Sequence, residues 1–445
     1  MNHDRLFAIV VILALLASTG TAVIVATGAH QHTTVQISGG GPFTSSAQAT
    51  QSAGGTPSSG GGGGGTYSGS GSSQTQGVSG DTIKVGAIFS ESNGIDSTVE
   101  EDTVRAYFQS VNAQGGVNGR KLELVSYDDG LNGDTAYAEA ARLDQQDHVF
   151  AVVGWLAPFG EARAAPYLEQ HGIPIVGGLG VPEEFNSPVS FPVSPIFAKD
   201  GFALGAYGAG TLHYHHIGVF LTQTAGINDV ANGIKQGAAA HGVTVNDNDI
   251  VFVPFAATNF EQYLLQFQSE GVDGLVTQLD PFSYVRLFQA EQRTNKIFHQ
   301  LAGAGVDKQS VDAAIGSQLV GTYGFMPYLE AQGNPTGNAE VNAYNATVTR
   351  YYPSQAQNMD AFSEGTWVAA RLFVDALAKL GNNVTRAGLV NALDSGAYDV
   401  GGMAPELNYQ RAGSSHAASN CASYISYTSN RRWQVVVPPP YYICY

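Results

Sequence analysis

The chain has 445 residues, of which 43% are hydrophobic, 13% are charged and 55 are glycine. This length exceeds that of a typical single domain and the apolar content excludes a wholly disordered chain, so two or three folded units are expected. Asp and Glu (37) outnumber Lys and Arg (20), which gives a net charge of −17. Without a basic patch to neutralise phosphates, the composition argues against a nucleic-acid partner.

The N-terminal region begins with an apolar segment. Apart from Asp4 and Arg5, no Asp, Glu, Lys or Arg precedes Asp81, and residues 6–28 form an uncharged run of 23 residues. As a helix this run would be about 34 Å long, enough to cross a membrane. Residues 1–30 are therefore interpreted as either a cleaved signal peptide or an uncleaved membrane anchor, and both place the protein outside the cytoplasm.

Residues 31–80 are interpreted as a flexible linker. Residues 38–80 contain 15 glycines, including the run Gly60–Gly65, among mostly Ser, Thr and Gln. Such a segment cannot bury enough apolar surface to offset the entropy of ordering it. With a span on the order of 35 Å, it would hold the folded part away from the cytoplasmic membrane or within a cell wall. The protein is expected to be exported and tethered in this way, or otherwise secreted.

From residue 81 onward, strand and helix patterns alternate. The run Ile83–Phe89 is typical of a buried strand, and Ser97 and Glu100 after it have the spacing of a helix capping box. Further strands are predicted at Lys121–Tyr127, Val149–Val153 and Ile173–Val176, with helices near residues 136–146 and 160–171. This alternation predicts a parallel sheet with right-handed crossovers.

A second alternating set follows the proline-rich segment Ser187–Pro195, which is predicted to cross between two bodies. The pattern predicts strands at Ile217–Leu221, Ile250–Val253, Gly274–Thr277 and Leu319–Tyr323, and helices near residues 229–240, 260–270 and 282–292. Phe325–Pro327 is predicted to return the chain to the first body, where helices near residues 361–380 and 386–393 follow.

The predicted fold class is therefore α/β, with two Rossmann-like lobes that contain parallel sheets and are joined by a hinge. An N-terminal hydrophobic helix and a disordered linker precede them. Residues 81–193 and 325–395 are assigned to lobe I, and residues 196–323 and 396–445 to lobe II. A cleft between two such lobes is the expected place for a small ligand.

The chain contains two cysteines, Cys421 and Cys444, 23 positions apart near the C-terminus. In an exported chain such a pair is expected to form a disulfide. Closing this loop would contribute about 3 kcal/mol in the chain-entropy model. Two free buried thiols are the alternative.

Several segments resemble type I periplasmic binding proteins of the leucine/isoleucine/valine-binding family. They are IKVGAIFS at 83–90, the stretch Gln114–Gly130, FAVVG at 150–154 and GIPIVGG at 172–178, with weaker matches at 216–220, 272–276 and 361–380. The resemblance implies a two-lobed extracytoplasmic receptor that closes on a small solute and presents it to an ABC-type membrane permease. It implies neither an enzyme nor a cofactor. A noncatalytic sensor or signalling module with the same fold is the alternative.

The chain departs from the amino-acid binders of that family at the positions expected to hold the ligand. Their hydroxyl-bearing loop matches Gly154–Gly160, which has no hydroxyl, and their threonine, tyrosine and glutamate fall near Gly180, Gly226 and Ala304. These departures favour a neutral, aromatic or largely apolar solute over an α-amino acid. The predicted ligand-binding residues are Phe89, Glu91, Trp155, Phe159, Gln223, Asp280 and Phe282.

No motif in the chain indicates catalysis or a metal site. His213–His216 contains a His-x-His spacing, but no cysteine or acidic residue nearby in the sequence completes a coordination shell. Asp128–Gly130 is interpreted as a turn rather than a calcium loop. Neither Gly-x-Ser-x-Gly nor His-Glu-x-x-His occurs. No catalytic residue and no metal ligand are therefore predicted.

Overall fold

The computed structural model describes residues 74–412, 415–417 and 419–445. The predicted signal or anchor segment and residues 31–73 of the predicted linker lie outside them. Residues 74–80, predicted as the end of the linker, instead contact the folded body: the Gln76 side-chain amide donates to the Asp144 carbonyl (2.9 Å), and the Arg386 N–H donates to the Gln74 carbonyl (2.9 Å). Within the described ranges, no helix is long and apolar enough to cross a membrane.

Lobe I is built around a parallel sheet. Its strands are β1 Thr82–Phe89, β2 Lys121–Asp128, β3 Val152–Val153, β4 Ile175–Val176 and β5 Ser190–Phe191. They lie in the order β2-β1-β3-β4-β5. Gly86 in the middle of β1 pairs with Val125 on one side and Val152 on the other. The predicted parallel sheet of the first body is confirmed.

Helices connect these strands as the alternation predicted. They are α1 Thr98–Ala113, α2 Gly133–Gln145, α3 Glu161–Gln170 and α4 Pro182–Asn186. Asn132 begins α2 by accepting hydrogen bonds from the N–H groups of Asp134 and Thr135. The predicted capping box of α1 is wrong: Ser97 occupies the N-cap position without a side-chain cap, and Glu100 binds elsewhere.

Lobe II is built around a larger mixed sheet. Its parallel strands are β6 Ile217–Thr222, β7 Ile250–Val253, β8 Gly274–Gln278, β9 His299–Ala302 and β10 Tyr323–Met326. Its helices are α5 Phe197–Gly210, α6 Ile227–Ala239, α7 Glu261–Glu270, α8 Pro281–Thr294 and α9 Gln309–Ile315. The strand predicted at Leu319–Tyr323 begins later, because residues 316–319 form a 3₁₀ turn.

Helix α5 was not predicted from the sequence because glycines are frequent in it and disfavour helices. The structure explains them. A Cβ atom at Gly201 would lie 2.1 Å from the carbonyl oxygen of Val230 in α6, and a Cβ atom at Gly237 would lie 2.1 Å from that of Phe202. The two helices pack so closely that only glycine fits at these contacts.

The chain then returns to lobe I. The helices here are α10 Ala339–Tyr351, α11 Ala361–Ala378 and α12 Arg386–Ser395, followed by the short strand pair β11 Ala397–Tyr398 and β12 Leu407–Asn408. Trp367 of α11 packs edge-to-face on Tyr107 of α1, with ring centroids 4.6 Å apart. Tyr398, Met403 and Tyr409 are buried in the same core. Residues 397–409 thus pack with lobe I, whereas the sequence placed them in lobe II.

The C-terminal strands complete the lobe II sheet. After the pair β13 Arg411–Ala412 and β14 Ser415–His416 come β15 Cys421–Tyr427, β16 Trp433–Val435 and β17 Ile443–Cys444. The order is β16-β15-β10-β9-β8-β6-β7, with β15 antiparallel to β10 and β17 paired to β15. Cys421 and Cys444 face each other across β15 and β17 and form the predicted disulfide, with an S–S distance of 1.96 Å.

Candidate functional site

A cavity lies where loops of both lobes meet. Lobe I contributes Trp155 and Leu179, from the loops after β3 and β4, and lobe II contributes Leu279 and Lys308, from the loops after β8 and β9. The volume of the cavity is about 160 Å³. In α/β folds, ligands bind at the carboxyl ends of the strands, where these loops lie. This cavity is therefore the candidate binding site.

Aromatic and aliphatic side chains form most of the cavity wall. Phe159 of lobe I and Phe255 of lobe II pack edge-to-face, with ring centroids 5.9 Å apart. Phe197, Tyr328 and Phe362 also line the cavity. A ligand that buries apolar surface against such a wall is stabilised by about 25 cal/mol per Å² of apolar surface removed from water.

Three of the seven predicted ligand-binding residues, Trp155, Phe159 and Asp280, line this cavity. Phe282 instead lines a second cavity beside Ile95 and Arg286. Phe89 is fully buried in the core of lobe I. Phe89 is the last residue of β1, and its side chain packs in the core of lobe I instead of lining the cavity.

Glu91 and Gln223 do not line the interlobe cavity either. The Glu91 N–H donates to Asp128 Oδ1 (2.9 Å), which fixes the turn after β1. Burial, together with the neighbouring Glu101, raises the pKa of the Glu91 carboxyl to about 8. The Gln223 N–H donates to the Val253 carbonyl (2.8 Å) and extends the pairing of β6 with β7.

Trp155 is a mostly buried residue that offers little ring surface to the cavity. Its exposed fraction is 2%, and it packs in a cluster with Ile88, Ala164 and Leu168. Its indole Nε1 is buried and has no hydrogen-bond partner among the described residues. A buried donor without a partner costs free energy, which a ligand acceptor would recover.

Asp280 holds together the lobe II side of the cavity. It begins α8 by accepting from the Ser283 N–H (3.0 Å), and its second oxygen accepts from Thr222 Oγ1 (3.0 Å), Ser283 Oγ (2.6 Å) and the Ala256 N–H (3.2 Å). Oδ1 therefore has one donor and Oδ2 has three. This arrangement fixes the ends of β6 and the loop after β7.

A buried ion pair that the sequence analysis missed lines the same cavity. Lys308 Nζ lies 2.9 Å from Glu100 Oε1 and 2.5 Å from Asp360 Oδ2. Burial raises the pKa of Glu100 to about 7, although Lys308 opposes this shift. Burial lowers the pKa of Lys308, but Asp360 and Glu100 outweigh it and the pKa lies above its usual range. Glu100 and Lys308 are 208 positions apart, so no local pattern indicates their contact.

A third carboxyl group, that of Asp200 in the first turn of α5, lines the cavity with those of Glu100 and Asp280. Its Oδ1 atom is buried and has no hydrogen-bond partner in the part of the chain that the structure describes. Burial raises the pKa of Asp200 well above its usual range. No local sequence pattern identifies Asp200 as a site residue, because an Asp near a helix start is usually exposed.

Two glutamates support the lobe I side of the cavity. Glu161 Oε1 accepts from the Ala157 N–H (3.1 Å) and Oε2 from the Leu179 N–H (3.1 Å), while Glu184 Oε2 accepts from the Gly180 N–H (2.8 Å). The loops after β3 and β4 are thereby fixed from within. The side chains of Gly154–Gly160 carry no hydroxyl group, and Glu161 holds the backbone of this loop at Ala157.

The histidines at 213–216 make contacts with acidic residues. The His215 N–H donates to Asp273 Oδ1 (3.0 Å), and His216 Nε2 lies 3.3 Å from Asp249 Oδ1. Over residues 74–445, excluding 413, 414 and 418, no cluster of three metal-ligating side chains is found.

A family model described as periplasmic binding protein matches residues 82–431. The chain belongs to this family. The predicted resemblance to type I members of the leucine/isoleucine/valine-binding group is confirmed. The chain matches an amino acid binding protein of Pseudomonas aeruginosa at 38% identity over 65 residues, 15% of this chain. It spans only 17% of the length of that curated relative.

Solved structures share the fold. A possible leucine/isoleucine/valine-binding protein from Rhodopirellula baltica has a TM-score of 0.70 at 16% identity, over 80% of this chain and 96% of that one. A fatty acid ABC transporter substrate-binding protein from Thermomonospora curvata has a TM-score of 0.69 at 16% identity (84% and 95%). A solute binding protein of an ABC transporter from R. palustris, in complex with benzoate, has a TM-score of 0.65 at 17% identity (80% and 95%).

Proposed function

We propose that this protein is an extracytoplasmic solute receptor of an ABC-type importer. It binds a small, largely apolar or aromatic solute between its lobes and presents it to a membrane permease. The observation that carries this proposal is the interlobe cavity, which is walled mainly by aromatic and aliphatic side chains of both lobes in a member of the periplasmic binding protein family.

The absence of an unpaired Lys or Arg among the described residues that line the cavity supports an apolar solute. The loop Gly154–Gly160 carries no hydroxyl group, and Lys308 already contacts two carboxylates. A ligand carboxylate transferred from water without paired donors would lose several kcal/mol. An aromatic ring against Phe159 and Phe255 would gain from burial and from edge-to-face contact.

A solute screen on the full-length chain tests this function. Aromatic and apolar solutes are expected to raise the unfolding temperature more than leucine, isoleucine or valine does, because a ligand that binds only the folded state stabilises it. If only the branched-chain amino acids stabilise the protein, the proposed solute class is wrong. If no solute does, the receptor function is wrong.

Lobe closure is the mechanical part of the proposal. Two of the crossing segments lie side by side, since Ser194 Oγ and Tyr328 Oη are hydrogen-bonded at 2.8 Å. Closing two rigid lobes about such a pair needs backbone changes at only a few residues. Small-angle scattering at saturating ligand should give a smaller radius of gyration than the free protein, and an unchanged curve would contradict closure.

We further propose that residues 1–30 export the chain and that the glycine-rich linker tethers the lobes to the cytoplasmic membrane or cell wall. The uncharged run of 23 residues at 6–28 supports this. Cell fractionation with mass measurement of the native N-terminus is the test. A soluble cytoplasmic pool that begins at Met1 would contradict it.

A further inference from the structure

The charged side chains that line the interlobe cavity are mostly acidic. Among the described lining residues, Glu100, Asp200 and Asp280 carry carboxyl groups, and Lys308 is the one Lys or Arg. The whole chain has the same bias, with a net charge of −17. This asymmetry bears on the charge of the solute, a question that rests on the proposed receptor function.

The single cation at the cavity is already neutralised. Lys308 contacts both Glu100 and Asp360, whose side chains are fully buried. An anionic solute would have to compete with these two carboxylates for one ammonium group. The unpartnered Trp155 Nε1 and Ser97 Oγ are neutral donors, and neutral hydrogen bonds do not fully compensate a buried negative charge.

The acidic groups differ in how far they are satisfied. Glu100 is paired with Lys308, and Asp280 accepts hydrogen bonds from four donor groups. Glu100 Oε2 and Asp200 Oδ1 are both buried without a hydrogen-bond partner among the residues described, but Asp200, unlike Glu100, has no Lys or Arg paired with it there. Burial without a partner disfavours the ionised form of Asp200, and a cation beside it would restore that form.

We propose that the solute is an apolar amine, whose protonated nitrogen pairs with Asp200 and whose apolar body contacts Phe159, Phe255 and Phe362. A cation next to a buried carboxylate gains a charge-assisted hydrogen bond, which is stronger than a neutral one. Aromatic rings add attraction for an ammonium group near their faces. The cavity thereby selects by charge as well as by apolar surface.

Three probes of nearly equal shape test the charge. Calorimetric titration of the full-length chain compares 2-phenylethylamine, 2-phenylethanol and phenylacetate. The amine is expected to bind at least about tenfold more tightly than the alcohol, and phenylacetate most weakly, since a hydrogen bond between charged groups is stronger than one between neutral groups. This comparison uses the wild-type protein and does not depend on the folding of a variant.

Two variants assign the effect to Asp200. Asp200→Asn keeps the shape and removes the charge, so affinity for the amine should fall at least about tenfold while affinity for the alcohol changes little. Glu123→Gln removes an equal charge from an exposed position on β2 and should leave all three affinities unchanged.

The outcomes separate this inference from the function on which it rests. If the solutes bound are anionic or uncharged, or if Asp200→Asn binds the amine as well as wild type does, the amine inference is overturned and the receptor function stands. If neither the probes nor the solute screen gives any binding, both are overturned.

Discussion

Lys308 of lobe II reaches across the cavity and lies 2.9 Å from Glu100 of lobe I. Glu100 is in the first turn of α1, and Lys308 precedes α9. Asp360, which begins α11, is the other partner of Lys308, at 2.5 Å. The side chains of both acids are fully buried. One ammonium group therefore links three helix starts that belong to distant parts of the sequence.

Removal of this cation should strongly destabilise the protein. Lys308→Met keeps the length of the side chain but leaves two buried carboxyl groups without their partner. The free energy of unfolding is expected to fall by about 3–5 kcal/mol, the usual effect of breaking a buried pair. Urea unfolding measures it. Lys199→Met, at an exposed position, is the control and should have little effect. A loss below about 1 kcal/mol would show that the pair contributes no more than a surface ion pair does.

The glutamates behind the cavity should make stability depend on pH. Burial, aided by the charge of Glu184, raises the pKa of Glu161 well above its usual range, and burial also raises the pKa of Glu184. The folded protein therefore retains a proton that the unfolded chain releases above about pH 4.5. Because the folded state binds more protons, this pair destabilises the fold progressively as pH rises from that value through the raised pKa.

Glu184→Gln tests this dependence, because the neutral amide can still hydrogen-bond to Glu161. The variant should lose less stability than wild type between pH 5 and 8, as measured by urea unfolding at each pH. The neighbouring Glu183 is exposed, and Glu183→Gln should keep the wild-type dependence. Parallel profiles for the two variants would mean that the pair does not hold the proton.

The disulfide should stabilise the C-terminal part of lobe II. Cys421→Ser combined with Cys444→Ser removes a link over 23 positions and is expected to lower the free energy of unfolding by about 3 kcal/mol. Reduction with dithiothreitol should lower the stability of wild type by a similar amount and leave the double variant unaffected. Equal stability of oxidised and reduced wild type would contradict this expectation.

The architecture could be predicted because its signals are local. The buried run of β1, Thr82–Phe89, and the alternation of strands with helices depend on neighbouring residues alone. Helix α5 could not be predicted in this way, because the reason for Gly201 is the backbone of α6. Residues 397–409 were assigned to lobe II for a similar reason: their burial against α11 depends on tertiary packing.

The candidate site was harder to predict than the fold. Trp155, Phe159 and Asp280 lie in loops that are expected to line the cleft, and the same expectation includes Phe282, which lines a neighbouring cavity instead. Glu100 has the spacing from Ser97 of a capping-box residue, and this pattern gives no indication of its contact with Lys308. A charged side chain is rarely buried unless it is paired, and the fold brings such partners together from distant parts of the sequence.

Trp155 should affect both stability and ligand binding. It is 2% exposed and packs within lobe I, so Trp155→Ala is expected to cost about 3–5 kcal/mol of stability. Because it also lines the cavity, the same change should weaken binding of the aromatic or apolar solute by more than about 1 kcal/mol.

Leu168→Ala removes a side chain of the same cluster that does not line the cavity, and it should lower stability without changing affinity. Trp155→Phe keeps an aromatic ring and removes Nε1, so it separates packing from hydrogen bonding. Calorimetric titration on the folded fraction decides between these roles: if Trp155→Ala and Leu168→Ala bind the solute equally well, Trp155 is a packing residue only.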